Sequence, residues 1–243
     1  KSQHTAAALE DLRAAAGGVP VVCGQNGVAN ERMAARMFSR VYAMVVVLPA
    51  TYLEPGVVHL SAEHASGMLD TGRYPLGSDA LVEQLTRDLS ESDYAAQPDE
   101  NVMRLKYAKL LTNLANVVQA LCGADAAAGD IVRNVRSEAL ACYEAASIDF
   151  SPEDLGARAA IRMRAVEGAP RHGGSSWQSL ARGAGSIETD YLNGEISLLG
   201  ALHGVPTPFN RMLQQAASEA IREGRAPGSY TVGDLMARAE ALR

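Results

Sequence analysis

The chain has 243 residues, 47% hydrophobic and 21% charged, which is the balance of a folded globular protein longer than one average domain and excludes a disordered or collagen-like chain. Its formal charge of −6 argues against a nucleic-acid-binding surface, which needs a basic stripe, but leaves room for a local basic pocket for a phosphorylated or carboxylate ligand. No apolar run reaches the roughly 18–20 residues of a membrane span.

Thr5 to Ala16 has an Ala/Leu-rich helical pattern, stopped by Gly17-Gly18. Pro20 leads into Val21-Val22-Cys23, a short apolar strand ended by the turn Gln25-Asn26-Gly27. Asn30 to Phe38 returns to helix. Val41 to Leu48 is a β-branched run, like a strand buried on both faces. Glu54-Pro55-Gly56 is a turn, and Val57–Ala62 and Ser66–Asp70 follow as short strands of a meander. This helix–strand–helix–strand order suggests part of a parallel-sheet domain.

From Ser78 onward helical periodicity dominates. Helices are expected over Asp79–Leu89, Glu100–Leu121, Ala128–Ala146, Pro152–Val166, Ser175–Arg182, Asp190–His203, Pro208–Glu223 and Val232–Leu242. Thr231 or Ser229 is a candidate cap for the last. No strand is expected after about residue 75. The expected fold class is therefore α/β plus all-α. Residues 1–97 are expected to form a partial parallel-sheet α/β domain, residues 98–243 an all-helical domain, with the boundary near Gln97-Pro98.

Cys23, Cys122 and Cys142 make no CxxC pair and leave one over, so neither a disulfide framework nor a structural zinc site is expected. A reducing cytoplasm fits that usage. The five histidines have no metal-ligand spacing, and no metal is expected. No secretory signal pattern is present, and the chain starts at Lys1 rather than Met, as a processed chain or an excerpt would.

Only three lysines stand against 19 arginines, and two of them, Lys106 and Lys109, fall in one short segment. At about 100° per residue, Leu110, Leu114, Val117 and Leu121 make an apolar stripe, the core side of a helix. Lys109, Asn113, Asn116 and Ala120 fall together on another side. That second stripe reads either as a solvated face or as the wall of a polar cleft. In a cleft the lysine could donate a proton or pair with a carboxylate, and the asparagines could bind substrate oxygens.

Gly173-Gly174-Ser175-Ser176 reads as a loop entering a helix N-terminus. Such an end binds anions, although a plain serine N-cap is the simpler reading. Glu188 opens the next helix, where the dipole favours a carboxylate. Gln25-Asn26-Gly27 is either an ordinary Asn-Gly turn or a ligand loop at the carboxyl end of a parallel strand.

In order and spacing these segments resemble the ketopantoate reductase (2-dehydropantoate 2-reductase) family, of the 6-phosphogluconate-dehydrogenase-like architecture, over nearly the whole chain; the resemblance implies that residues 1–97 are a partial Rossmann-like NADP-binding domain. Lys1-Ser2-Gln3-His4-Thr5 resembles the family's K-x-x-x-T piece, and Gln25-Asn26-Gly27 its QNG turn. Tyr107 to Asn113 is similar to its W-x-K-L-x-x-N helix, with Tyr for Trp. Ser175 to Gln178 is similar to S-x-x-Q-D, with Ser179 in place of Asp. Glu188 to Gly194 is similar to E-I-D-x-L-N-G, with Thr for Ile, and Gly204 to Asn210 to G-V-x-T-P-x-N.

The resemblance implies an NADP-dependent oxidoreductase that reduces a 2-oxo acid, ketopantoate in the first instance, by hydride transfer. Lys109 would be the general acid that protonates the carbonyl oxygen. Glu188 would hydrogen-bond the substrate and hold Lys109. Asn113 and Asn116 would bind substrate, and Ser175 or Ser176 its carboxylate. Asn26 would lie beside the nicotinamide, and Lys1 near the cofactor or substrate. It also implies a small-molecule substrate, a cytoplasmic location and a homodimer through the helical domain.

Three departures bear on this. The family's second Asn, eight residues after the lysine, is Val117 here, and Asn116 comes one residue early. An extra residue lies between Gln178 and Glu188. No G-x-G-x-x-G turn, which in the family cradles the cofactor pyrophosphate, occurs after a strand, so the chain is expected to begin beyond that turn. A divergent paralogue acting on another oxo or imine substrate, or a non-catalytic helical dimerisation protein, is the alternative reading.

Overall fold

The computed structural model describes residues 1–123, 126–159, 161–164, 166 and 173–243. The chain divides into two compact units, Lys1–Leu110 with Phe150–Pro170, and Leu111–Asp149 with Arg171–Arg243.

The first unit opens with a 3-10 turn (Ser2–His4) that runs into α1 (Thr5–Ala16). Next come β1 (Val21–Cys23), α2 (Asn30–Ala34) and β2 (Val41–Val47), then the short strands β3 (Ala50–Thr51), β4 (His59–Leu60) and β5 (Ala62–Glu63). β6 (Met68–Arg73) and α3 (Ala80–Glu91) follow. α4 (Val102–Asn113) begins in this unit, and the division between units falls inside it. α7 (Pro152–Arg158) and β7 (Arg162–Met163) return to it.

The main sheet has the order β1-β2-β6. β1 and β2 are parallel, with Val22 opposite Tyr42, as the strand–helix–strand order requires. β6 is antiparallel to β2, with Val45 opposite Asp70, so the sheet is mixed where the sequence suggested a parallel one. Two small patches lie outside it: β3 pairs with β4, and β5 with β7.

Val41, Ala43 and Val45, alternate residues on one face of β2, are all buried, and they meet two different clusters along the strand. Val41 packs with Leu9, Cys23, Ala34 and Phe38 beneath α1 and α2. Ala43 and Val45 pack with Met68, Val102, Leu105, Ala108 and Leu155 beneath α4 and α7. Each large side chain so buried contributes roughly 1.5–3 kcal/mol.

Several boundaries differ from those expected. The helix from Asn30 stops at Ala34, and the chain turns through Ala35–Met37 into β2. The helix from Pro152 stops at Arg158 instead of reaching Val166. Arg158 donates to Asp70 Oδ2 (3.1 Å) and Asp99 Oδ2 (2.6 Å), and the chain then extends as β7 beside β5. Ala160 and Ala165, inside that expected helix, lie outside the described residues. β7 is also a strand where none was expected. Gln97-Pro98 runs alongside β6, with Thr71 N donating to Gln97 O at 3.2 Å and Asp99 N to Thr71 O at 2.9 Å.

The second unit is helical. α5 (Asn116–Cys122), α6 (Gly129–Ala145), α8 (Ser175–Ala181), a 3-10 turn (Glu188–Tyr191), α9 (Asn193–His203), α10 (Pro208–Arg222) and α11 (Val232–Glu240) make it up. α10 buries Phe209, Met212, Leu213, Ala216, Ala217 and Ala220, the 3–4 spacing of one helix face. Its N-terminus is capped by Glu138, whose carboxylate accepts from Phe209 N (2.8 Å) and Asn210 N (3.0 Å). Thr231 caps α11 by accepting from Asp234 N.

The single helix expected over Glu100–Leu121 is two, broken at Leu114-Ala115. The carbonyl of Leu114 accepts from the buried side-chain amide of Asn193 at 3.3 Å. Among the described residues no helix is long and apolar enough to cross a membrane, and no group of three or more His, Cys, Asp or Glu is placed to hold a metal ion.

Candidate active site

β1 and β2 run parallel, so the Gln25-Asn26-Gly27 turn follows the carboxyl end of β1. In open α/β sheets that end is where ligands bind. Gly27 has φ +78°, a left-handed conformation that a glycine takes without strain.

The turn is tied down from several sides. The carbonyl of Asn26 accepts from Ser2 Oγ (3.0 Å) and Asn30 Nδ2 (2.9 Å). Asn30 is fully buried; its Nδ2 also donates to Ser2 Oγ (3.2 Å), and its Oδ1 accepts from Thr5 Oγ1 (2.8 Å). Thr5 Oγ1 in turn accepts from Gln25 Nε2 at 3.1 Å. The first and last hydroxyls of Ser2–Thr5 thus lock onto the turn. Lys1 itself is exposed at the head of the 3-10 turn, next in sequence to Ser2.

These ties leave the Asn26 side chain facing Lys109. Lys109 Nζ donates to Asn26 Oδ1 at 2.7 Å and also to the carbonyl of Val46 in β2. One helical turn earlier, Lys106 Nζ donates to Gln25 O at 3.1 Å and forms an ion pair with Glu31. Gln25, Asn26, Gly27, Met44, Val45, Val46, Lys106 and Lys109 enclose a cavity of about 10 Å³. Cys23 lies in the electrostatic reach of this pair. Burial pushes its thiol up to about 12, with Glu31 adding to the shift and Lys106 opposing it, so it is a neutral thiol and not a nucleophile.

Among the expected site residues, the first unit therefore brings Lys109 and Asn26 into direct contact. Lys1, exposed, belongs to the same unit, and the remaining expected residues belong to the second. Asn113, the last residue of α4, is 7% exposed, and its Nδ2 has no hydrogen-bond partner among the described residues. Asn116 opens α5 and is half-buried, and Ala120 is fully buried. The stripe Lys109–Asn113–Asn116–Ala120 is consequently not a solvated face.

α5 also holds the glycine loop ahead of α8. Gln119 Oε1 accepts from Gly174 N at 2.9 Å, and a Cβ on Gly174 would lie 3.4 Å from Asn116 Oδ1. Gly174 is the N-cap of α8, with no side-chain cap, so neither serine plays that part. Ser175 and Ser176 are the first two helical residues, Ser175 half-buried and Ser176 buried. Glu188 is 3% exposed at the head of the 3-10 turn that leads into α9.

Sequence reasoning missed the Lys106–Glu31 pair and the Ser2–Thr5–Asn30 network. A lysine one turn from Lys109 was a visible signal. Glu31 gave none, because an acid in the first turn of a helix is ordinarily a solvated group favoured by the dipole.

Residues 101–220 match the family model "Ketopantoate reductase PanE/ApbA C terminal", and residues 1–73 match "Ketopantoate reductase PanE/ApbA". A 2-dehydropantoate 2-reductase of Pyrococcus horikoshii is 25% identical over 223 residues, covering 88% of this chain and 71% of that protein. The crystal structure of a PanE/ApbA family ketopantoate reductase from Ralstonia eutropha is 27% identical with a TM-score of 0.71, over 92% of this chain and 74% of that one. A D-mandelate dehydrogenase in complex with NADH is alike in fold, with a TM-score of 0.74 at 23% identity over 92% of this chain and 77% of that one.

A small mixed sheet followed by a helical unit, matched in both parts, is the fold of an oxidoreductase family. The chain belongs to the ketopantoate reductase PanE/ApbA family.

Proposed function

We propose that the protein reduces a 2-oxo acid to the 2-hydroxy acid at the expense of NADPH, with Lys109 as the proton donor and ketopantoate as the first candidate substrate. The observation that carries this reading is the 2.7 Å contact of Lys109 Nζ with Asn26 Oδ1 at the carboxyl end of β1. It couples a titratable ammonium to the turn where a nicotinamide would lie.

The residues present suit the nicotinamide end of such a cofactor. The Asn26 side chain stands at the strand end, its backbone fixed by Ser2 and Asn30. Asn26 would hold that end, with Lys1 assigned nearby. When bound, the cofactor supplies the hydride. The protein's part is to bind, orient and protonate. Lys109 gives a proton from Nζ to the substrate's carbonyl oxygen as negative charge develops there, and its ammonium, already in place, stabilises that charge as it builds. Asn26 Oδ1 and the Val46 carbonyl hold the ammonium in place by accepting from it.

In the second unit we assign Glu188, Asn113 and Asn116 to the substrate's polar groups, and Ser175 or Ser176 to its carboxylate. The unpartnered Nδ2 of buried Asn113 suits a group awaiting a ligand acceptor. Val117, where the family has an asparagine, is buried, and its side chain offers no hydrogen bond. This favours, as a second reading, a 2-oxo acid other than ketopantoate.

The test is oxidation of NADPH and of NADH by the full-length protein, with ketopantoate and with a panel of other 2-oxo acids. Ketopantoate-dependent oxidation of NADPH at an ordinary enzymatic rate supports the first reading. Turnover only with another 2-oxo acid supports the second. No turnover with any of them overturns both.

A further inference from the structure

We infer that Lys106, through its buried ion pair with Glu31, is a positioning residue that sets the Gln25-Asn26 turn and with it the Asn26–Lys109 contact. The inference rests on the reductase reading for its catalytic consequence, though not for its structural one.

The pair is in an unusual place. The Lys106 side chain is 3% exposed and that of Glu31 is not exposed at all. Burying two charges is costly even when they meet, and a well-packed apolar pair commonly does as well for stability. Lys106 follows Leu105 in α4, about 100° round the helix from it, beside the face of Leu105 and Ala108 that packs on the sheet; at a place so buried an apolar side chain would be the ordinary choice. What an apolar side chain cannot do is donate to a backbone carbonyl across the sheet's end. Lys106 Nζ does this to Gln25 O, 81 positions away in the chain.

The turn has two carbonyls that need holding, and each is held differently. Asn26 O is taken by Ser2 and Asn30, and Gln25 O by Lys106. With both fixed, the Asn26 side chain is directed at Lys109. Lys106 and Lys109 are three residues apart in one helix, so they project from the same side of α4. A single helix thus sets the turn with one ammonium and presents the other to it. Glu31 balances the charge of Lys106, so the positioning ammonium stands beside the working one without adding an uncompensated cation.

The experiment uses the full-length protein with Lys106→Met, Lys106→Arg, and the paired replacement of Lys106→Met with Glu31→Leu, which removes the charge imbalance should the single variant fail to fold. Two quantities are read. One is the kinetic constants with the best 2-oxo acid substrate. The other is backbone hydrogen exchange by mass spectrometry in a peptide covering Cys23–Val28.

In a folded Lys106→Met or paired variant, kcat falls about 100-fold, the consequence of a displacement on the order of 1 Å at a reacting group. The cofactor KM stays within about twofold, because Asn26 shifts but remains. Exchange in the turn rises at least about tenfold, while exchange in α10 is unchanged. Lys106→Arg recovers part of kcat and part of the protection.

A folded variant with wild-type kcat overturns the inference. So does a fall in kcat with exchange in the turn unchanged, since Lys106 would then act otherwise than through the turn. If the wild-type protein turns over no 2-oxo acid, the reductase reading fails on its own, and exchange in the turn alone upholds or overturns the structural part.

Discussion

The ammonium of Lys109 and the side-chain oxygen of Asn26 are 83 residues apart in sequence and 2.7 Å apart in space. The contact joins the helix that crosses the sheet to the turn that ends its first strand. Asn26→Ala removes the acceptor while Gly27 still makes the turn. Turnover is expected to fall roughly 10- to 100-fold with the fold intact, the cost of a loosened proton donor. Steady-state kinetics with circular dichroism on the same sample checks it, and wild-type turnover in a folded Asn26→Ala protein would count against the assigned contact.

The glycine loop before α8 makes a second prediction. A Cβ on Gly173 would meet the ring of Trp177 at 2.5 Å. Gly173→Ala therefore forces either the indole or the loop to move, at a cost of about 1–3 kcal/mol. Trp177 is the chain's single tryptophan, so its fluorescence reports the change directly. A lower denaturation midpoint with shifted emission is expected. An unchanged midpoint and emission would show that the loop is not packed as described.

A third prediction concerns pH. Burial pushes the Glu138 carboxyl above the ordinary glutamate range, although hydrogen bonds from Phe209 N, Asn210 N and the Asn210 side chain pull the other way. The folded protein then holds this proton at pH values where the unfolded chain has lost it. Stability contributed by the group is present below the ordinary glutamate value and is lost as pH rises through the raised one. Glu138→Gln cannot titrate, so its stability relative to wild type should improve as pH rises through that window. Urea unfolding at a series of pH values measures the difference, and a relative loss with rising pH would contradict the shift.

Much of this was legible in the sequence because it depends on local patterns. The β-branched run Val41–Leu48 gave β2 to within one residue. Thr5–Ala16, bounded by two glycines, gave α1 with both ends right. What local patterns do not carry is competition from distant groups. The periodicity through Glu100–Leu121 is continuous, yet the helix breaks at Leu114-Ala115, where Asn193 takes the Leu114 carbonyl. The helix from Pro152 ends early where Arg158 meets two aspartates far off in sequence. The antiparallel β6 was hidden because strand direction is set by connection and not by composition.

The site was legible in a similar measure. Lys109 stood out as one of three lysines, and Asn26 as part of a turn after a strand. Glu31 did not, since nothing in the sequence distinguishes a buried first-turn acid from an exposed one.

Lys109 as the proton donor is the centre of the proposed chemistry. The direct test is Lys109→Ala in the full-length protein, comparing kcat with the best 2-oxo acid and the affinity for NADPH against wild type. A fall of about 10²–10⁴-fold in kcat, with NADPH affinity and unfolding midpoint close to wild type, is the predicted result. A folded variant that turns over at a near-normal rate would contradict it.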